Sequence, residues 1–263
     1  MNFKIRIVII VSLLLISSQS LLIAREDFSI NRHNILKGSI DNQYEIEMRI
    51  YYDEDGELTG DYFYERYKKK IKLEGYINDY KITLYEFDTN EDKSAKFTGK
   101  VYNGIFLGEW SSLKSNNKYN FKLEVVDNFS GKKDNIYAGA TDNSPEEIEA
   151  FAKELKDNIL SKNKEEVSRN ISYPISVEIE GQRVIIRDEA QFVDNFDKIF
   201  YKEYVQTLKD ASTLNMRSHY ILGIRLGSRG QIWFNSSYGS KELKVTAINN
   251  SRESLERYGI IEE

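Results

Sequence analysis

The hydrophobic periodicity of the chain changes once, at Ser144, and this change limits the fold more than any other feature. Before it, over about residues 43–126, apolar and polar residues alternate, as in the segment YEIEMRIYY at 44–52. A period of two is typical of half-buried β-strands. After Ser144, apolar residues recur at helical spacing. The sequence therefore predicts an all-β region followed by a region that contains helices.

The first region is predicted to form an antiparallel meander. Further strand-like runs lie at 60–67, 70–75, 81–87, 95–102, 105–110 and 118–126, and polar turns separate them. Strands at such short, regular spacing favour up-and-down pairing. A weak internal repeat, Leu58-Thr59-Gly60 and Phe97-Thr98-Gly99, begins two similar hairpin units. Repeated hairpins suit a sheet that curls or closes, so we expect a meander or barrel-like domain.

The second region is predicted to be α+β. Ser144, Pro145 and Glu147 form the signature of a capping box at a helix start. Asp188, with Gln191 three positions on, marks a later helix start. Strand patterns lie at 175–179, 183–187, 220–226, 231–235 and 243–248. The resulting order α-α-β-β-α-β-β-β places helices against an antiparallel sheet.

The amino terminus has the pattern of a secretory signal peptide. Lys4 and Arg6 precede an apolar run at 7–16, and Ala24 offers a small residue for cleavage. The polar residues at 17–20 interrupt the run, whereas a membrane-spanning helix needs about 20 mostly apolar residues. An uncleaved anchor is the alternative. We therefore predict a signal peptide at 1–24, an all-β domain at 25–126, a linker at 127–143, an α+β domain at 144–250 and a polar tail at 251–263.

Composition excludes several classes of site. The chain has no cysteine and only two histidines, His33 and His219. Disulfides, thiolate zinc sites and iron–sulfur clusters are thereby excluded, and a histidine-built metal site is disfavoured. No glycine-rich phosphate loop is present. We predict no metal and no cofactor. The formal charge of −5 argues against nucleic acid as a partner.

Three strings in the second region carry a resemblance: ISYPISV at 171–177, FDKIF at 196–200 and GQIWF at 230–234. They resemble an exported bacterial subfamily of the nuclear-transport-factor-2-like fold, in which a bent sheet wraps around helices into a cone. Phe196 stands where that pattern usually has Tyr. The first region, with GEWS at 108–111, resembles the aromatic-rich β-modules that accompany such domains. The resemblance implies a fold and an envelope location, but it does not imply an activity.

Four residues are candidates for a pocket in the cone. Asp197 lies on a helix among aromatic residues, where it is either an acid or base facing a pocket or a solvated surface carboxylate. Tyr173 and Trp233 either line the cone or belong to its core. Arg225 lies on a strand, where it pairs with a carboxylate or an anionic ligand or faces solvent. No residue is predicted to be catalytic.

Three functions remain open. The first is a non-enzymatic binding module of the bacterial envelope, periplasmic or extracellular, whose partner is a protein, a glycan or a small molecule. The second is an enzyme that uses the cone pocket with Asp197 as acid or base. The third is a structural accessory protein without a ligand.

We predict that the mature protein begins near Arg25, because the apolar run is short and Ala24 fits the position before a cleavage site, with Ser20 as a second candidate. Amino-terminal sequencing of the protein recovered from envelope fractions measures this. An intact Met1 on membrane-embedded protein would contradict the prediction.

Overall fold

The computed structural model describes residues 28–78, 81–237 and 239–261. The predicted signal peptide and its cleavage site lie outside the described residues, so both stay predictions. None of the helices in these ranges is both long and apolar enough to cross a membrane.

Eight antiparallel strands form a closed barrel in which each strand pairs with the next and β8 pairs with β1. This confirms the predicted antiparallel, barrel-like first region. The strands are β1 (Arg32–Ile40), β2 (Tyr44–Tyr52), β3 (Glu57–Tyr64), β4 (Ile71–Asn78), β5 (Lys81–Phe87), β6 (Lys93–Tyr102), β7 (Ile105–Ser112) and β8 (Lys118–Phe129).

The barrel is filled by side chains. The inward positions of all eight strands contribute to one buried apolar cluster, which includes Leu36, Met48, Leu58, Tyr62, Leu73, Leu84, Phe97, Phe106, Phe121 and Leu123. Phe106 and Phe121 pack edge to face with ring centroids 4.7 Å apart. Burial of this cluster is the main favourable contribution to barrel stability.

Glycines in the repeat allow neighbouring strands of the wall to approach closely. A Cβ on Gly60 would lie 1.9 Å from the carbonyl oxygen of Arg49, and one on Gly99 would lie 2.2 Å from that of Leu107. Both carbonyls belong to the neighbouring strand, so only glycine fits these close approaches. The two Thr-Gly dipeptides therefore mark places where the closed sheet leaves no room for a side chain.

The second region contains five helices, a two-stranded hairpin and a four-stranded antiparallel sheet of order β11-β12-β13-β14 among the described residues. The helices are α1 (Pro145–Leu160), α2 (Lys164–Arg169), α3 (Glu189–Ile199), α4 (Lys202–Lys209) and α5 (Arg252–Arg257). The strands are β9 (Ile175–Ile179), β10 (Gln182–Ile186), β11 (Arg217–His219), β12 (Gly223–Leu226), β13 (Ile232–Ser236) and β14 (Leu243–Ile248).

Local signals place these helices as the sequence predicts. The capping box at Ser144 is present with both of its hydrogen bonds, and the side chain of Asp188 accepts from the backbone N–H of Gln191. The strand predicted at 220–226 is shorter than expected, because residues 220–222 form the turn before β12. The segment predicted as a polar tail contains α5, which buries Leu255.

The barrel and the second region share buried contacts. Ile35 and Phe129, on the outside of the barrel wall, belong to the same buried cluster as the helices of the second region. The connecting segment contributes Ile136 and Tyr137, which are 2% and 0% exposed. The division into two domains joined at 127–143 stays a prediction.

We predict that Gly60→Ala destabilises the protein by roughly 2 kcal/mol or more, since the wall must shift to admit a methyl group. Gly139→Ala is the matched control, because a Cβ there meets no atom within 4 Å. Urea unfolding of both variants measures the effect. Equal stability of the two variants would contradict the assignment of Gly60 to a steric role.

Candidate functional site

The structure places Asp197 on the surface of the second region. Its carboxylate accepts hydrogen bonds from the ammonium groups of Lys164 at 2.6 Å and Lys162 at 3.0 Å. These two bonds lower the pKa of Asp197 below its ordinary value. A carboxylate with a lowered pKa is a weaker base than a free one, so this environment does not favour proton transfer near neutral pH. Its ion-pair partners are these two lysines.

Tyr173 and Trp233 take part in packing. The Tyr173 hydroxyl donates to the carbonyl of Ser168 at 2.9 Å, and its ring lies edge-on to Phe192 at 6.2 Å. Trp233 lies against the turn before β13, where a Cβ on Gly230 would approach its indole nitrogen to 2.4 Å. Among the described residues, Tyr173 and Trp233 make no hydrogen bond, ion pair or ring contact with Asp197.

Helices cover one face of the β11–β14 sheet. Phe151 of α1 packs against Phe234 with ring centroids 5.1 Å apart. The buried Tyr204 of α4 donates from its hydroxyl to the carbonyl of Gln231 at 2.5 Å. Both contacts lie where a substrate pocket was expected, so this face of the sheet forms core.

Arg225 is the one predicted candidate that lines a cleft between the barrel and the second region. This cleft, which we name the barrel cleft, has a volume of about 370 Å3. Its barrel side carries Lys37 and Glu47, and its other side carries Arg217 and Arg225. Glu47 is nearly buried, and burial raises the pKa of its carboxyl even though Lys37 donates to it at 2.9 Å.

Next to Asn215, which lines the cleft, charged residues on the outside of the barrel are largely buried against the second region. Arg49 of β2 and Asp61 of β3 are cross-strand neighbours and form an ion pair. The side-chain amide of Asn215 donates to Asp61 at 3.2 Å from the loop before β11. Burial alone would raise the pKa of the Asp61 carboxyl, but the positive charges of Arg49 and Lys70 hold it below its ordinary value.

His33 extends this network in β1 and is fully buried. Its Nε2–H donates to the carbonyl of Lys132 at 2.9 Å, and its Nδ1 accepts from Arg49 at 3.1 Å. This pair of contacts requires the neutral imidazole, because a second ring proton would face the guanidinium. Burial and the charge of Arg49 lower the pKa of His33 to about 4.

A second buried carboxylate, Glu149 of α1, binds three donors. Lys70 donates from its ammonium group at 2.6 Å, the Tyr137 hydroxyl at 3.0 Å and the backbone N–H of Asn215 at 3.0 Å. The Tyr137 hydroxyl in turn accepts from the backbone N–H of Met216 at 3.0 Å. Three separate segments are thus fixed on one side chain.

The turn between β11 and β12 exposes three consecutive large apolar residues, which we name the apolar tip. Tyr220, Ile221 and Leu222 are 74%, 66% and 51% exposed. Nδ1 of His219 accepts from the backbone N–H groups of Ile221 at 3.2 Å and Leu222 at 3.3 Å. The imidazole therefore holds the turn in a defined conformation while the apolar side chains face solvent.

Sequence reasoning did not find the buried network or the tip. Arg49 and Asp61 occupy alternate positions of strand patterns, where a charged residue indicates a solvent face. Nothing in the local sequence of Arg49 or Asp61 indicates that residues of the second region cover them. The run Tyr220-Ile221-Leu222 was the available signal for the tip, but apolar residues beside a strand also fit an extension of that strand.

Among the described residues, no group of three His, Asp or Glu side chains is placed to hold a metal ion. No family model matches the chain, and no curated protein or solved structure is significantly similar to it. The interpretation of the site therefore rests on the geometry of this chain.

We predict that His33 makes stability depend on pH. The unfolded histidine binds a proton near pH 6.5 but the folded one only near pH 4, so stability is full above pH 6.5 and falls as the pH drops towards 4. The loss between pH 6.5 and 5 is about 2 kcal/mol. Urea unfolding across this range measures it.

The matched variant is His33→Gln, which has no titratable group at this position. We expect it to be less stable than the wild type at pH 7.5 and to show a flatter dependence between pH 6.5 and 5. The comparison separates His33 from the carboxylates, which are present in both proteins. Parallel curves for the two proteins would contradict the prediction.

Proposed function

We propose that this chain is an exported, non-enzymatic interaction module of a bacterial envelope, and that it binds a protein partner through the apolar tip. The observation that carries the proposal is the exposure of three consecutive large apolar side chains on a turn held by His219. The signal-like amino terminus supports the export part of the proposal. Helices packed on one face of an antiparallel sheet support the nuclear-transport-factor-2-like assignment, which belongs to the same proposal.

Exposed apolar residues in a fixed turn favour a protein partner. Scattered apolar residues are common on protein surfaces, but a contiguous group marks an interaction site more often. Tyrosine is enriched among the residues that contribute most to interface affinity, because it buries a large area with few rotatable bonds. The turn loses little conformational freedom on binding, since the imidazole already fixes it.

The enzymatic alternative has less support. Asp197 is bound by two lysines on the surface, and the helix-covered face of the sheet is filled by Phe151, Phe234 and Tyr204. An acid or base needs reach to a bound substrate as well as a suitable pKa. The carboxylate of Asp197 is bound by two lysines and its pKa is lowered, so it has neither the reach nor the pKa that this role needs.

We predict that replacing the apolar tip weakens partner binding without unfolding the protein. A photo-crosslinking amino acid at position 221 should form a defined adduct in cells, and mass spectrometry identifies the partner. With the purified partner, Tyr220→Ser and Ile221→Ser should each weaken binding at least tenfold, as expected for residues at the centre of an interface. Their melting temperatures should stay close to that of the wild type, because both side chains are exposed.

Leu107→Ser is the matched control, since Leu107 is 50% exposed on the barrel wall away from the tip in sequence. It should bind the partner with wild-type affinity. Equal crosslinking from positions 107 and 221, or unchanged affinity in both tip variants, would overturn the proposal.

A further inference from the structure

The barrel cleft contains an arginine, Arg225, whose charge is not compensated by a partner among the described residues. Eight charged residues line the cleft: Lys37, Glu47, Glu65, Lys68, Asp127, Asp210, Arg217 and Arg225. Three ion pairs join six of them: Lys37 with Glu47, Lys68 with Glu65, and Arg217 with Asp127. Asp210 accepts from the side-chain amide of Gln206 at 3.2 Å. Arg225 has no hydrogen-bond or ion-pair partner among the residues that the structure describes.

The surroundings of Arg225 disfavour an isolated positive charge. The side chain is half-buried, and the charged neighbours that act on it are Arg217, its partner in the β11–β12 register, and Arg229. Burial and these two positive charges lower the pKa of the guanidinium from its ordinary value. An arginine stays protonated under such conditions, so the unfavourable charge remains until an anion approaches.

The remaining arginines of this face are already engaged. Arg217 is bound to Asp127, and the guanidinium of Arg229 lies over the ring of Tyr258 at 5.4 Å. A second and larger cleft, of about 580 Å3, lies beside α5, but its Arg183 donates to Ser176 at 2.7 Å and its Glu178 accepts from the backbone N–H of Arg252 at 3.1 Å. Of the two arginines that line the cleft, Arg225 is therefore the one whose N–H donors have no partner among the described residues.

We propose that the barrel cleft binds a small oxyanion ligand, one that bears a carboxylate or a phosphate, through the guanidinium of Arg225. The planar fork of an arginine matches the two oxygens of either group and binds them with paired hydrogen bonds. The cleft volume lies near the lower end of the range for small-molecule sites, which fits a compact anion. The site goes beyond the proposed protein-binding function and does not depend on it.

The site lies on a rigid base. Arg217 and Arg225 face each other across the β11–β12 hairpin, and the hydroxyl of Ser218, the next residue of β11, donates to the carbonyl of Ile136 at 3.1 Å. On the opposite wall, Lys37 and Glu47 belong to β1 and β2 of the closed barrel. A ligand therefore meets preformed walls on both sides.

Titration of the purified protein with inorganic phosphate and, separately, with succinate tests the proposal, with sodium chloride holding the ionic strength constant. Calorimetry gives the affinity, and the Nε–Hε signal of Arg225 in the NMR spectrum reports on the site directly; Arg225→Lys assigns that signal by removing it. We expect saturable binding of at least one of the two anions, with a shift of the Arg225 signal. The anion that binds more tightly shows whether the ligand carries a phosphate or a carboxylate.

Arg225→Gln should weaken this binding at least tenfold, and Arg225→Lys, which keeps the charge but lacks the fork, should weaken it less. Arg187→Gln is the matched control, because it removes the same charge from an exposed arginine outside the cleft, and it should bind as the wild type does. No saturable binding of either anion, or equal binding by Arg225→Gln and the wild type, would overturn the proposal. If Arg225→Gln does not fold, the NMR signal of Arg225 in the wild type serves as the test. A signal that does not shift at saturating anion concentration would overturn the proposal.

Discussion

The carboxylate of Glu149 is the interaction on which the arrangement of this molecule depends. It binds the ammonium of Lys70 from the barrel, the hydroxyl of Tyr137 from the connecting segment and the backbone of Asn215 from the loop before β11. A buried carboxylate without partners is strongly destabilising, so all three segments are held in the positions that satisfy it. Through its side chain, Asn215 joins the same assembly to Asp61 and hence to the barrel wall.

This buried assembly explains why surface groups near it have defined positions. The loop fixed at Asn215 leads directly into β11, and β11 carries Arg217 and the turn with the apolar tip. Met216 donates to Tyr137, and Arg217 pairs with Asp127 at the end of β8. One wall of the cleft and the apolar tip thus belong to the same short hairpin. Both surfaces are preorganised because the hairpin is bound to the barrel and to the connecting segment at its base.

Alternation predicted strands of the barrel whose burial is mostly one-sided and missed β1, which is covered on both faces. Alternation indicated β2, since one face of that strand packs inward for most of its length. It did not indicate β1, where residues 33–36 are all buried: Leu36 faces the barrel core, while His33 and Ile35 face the second region. Capping residues located α1 and α3 because the signal is contained in four residues. The buried pair of Arg49 and Asp61 looked like solvent-facing charge, because the layer that covers it comes from more than 150 residues along the chain.

The same limit applies to the candidate site. It explains why Asp197, the candidate acid or base, lies in surface ion pairs, whereas Arg225 lies in the cleft. Local sequence shows which residues are charged, but whether a charged residue has a counterion depends on the residues that the fold brings near it. Asp197 lies among aromatic residues in sequence, yet two lysines from the α1–α2 connection and the start of α2 neutralise it at the surface. Arg225 stands in a chain with a formal charge of −5, yet the charges that reach it are those of two other arginines. Net charge therefore indicates which partners suit a whole surface, whereas the preference of a single cleft depends on how the charges that line it are paired in the fold.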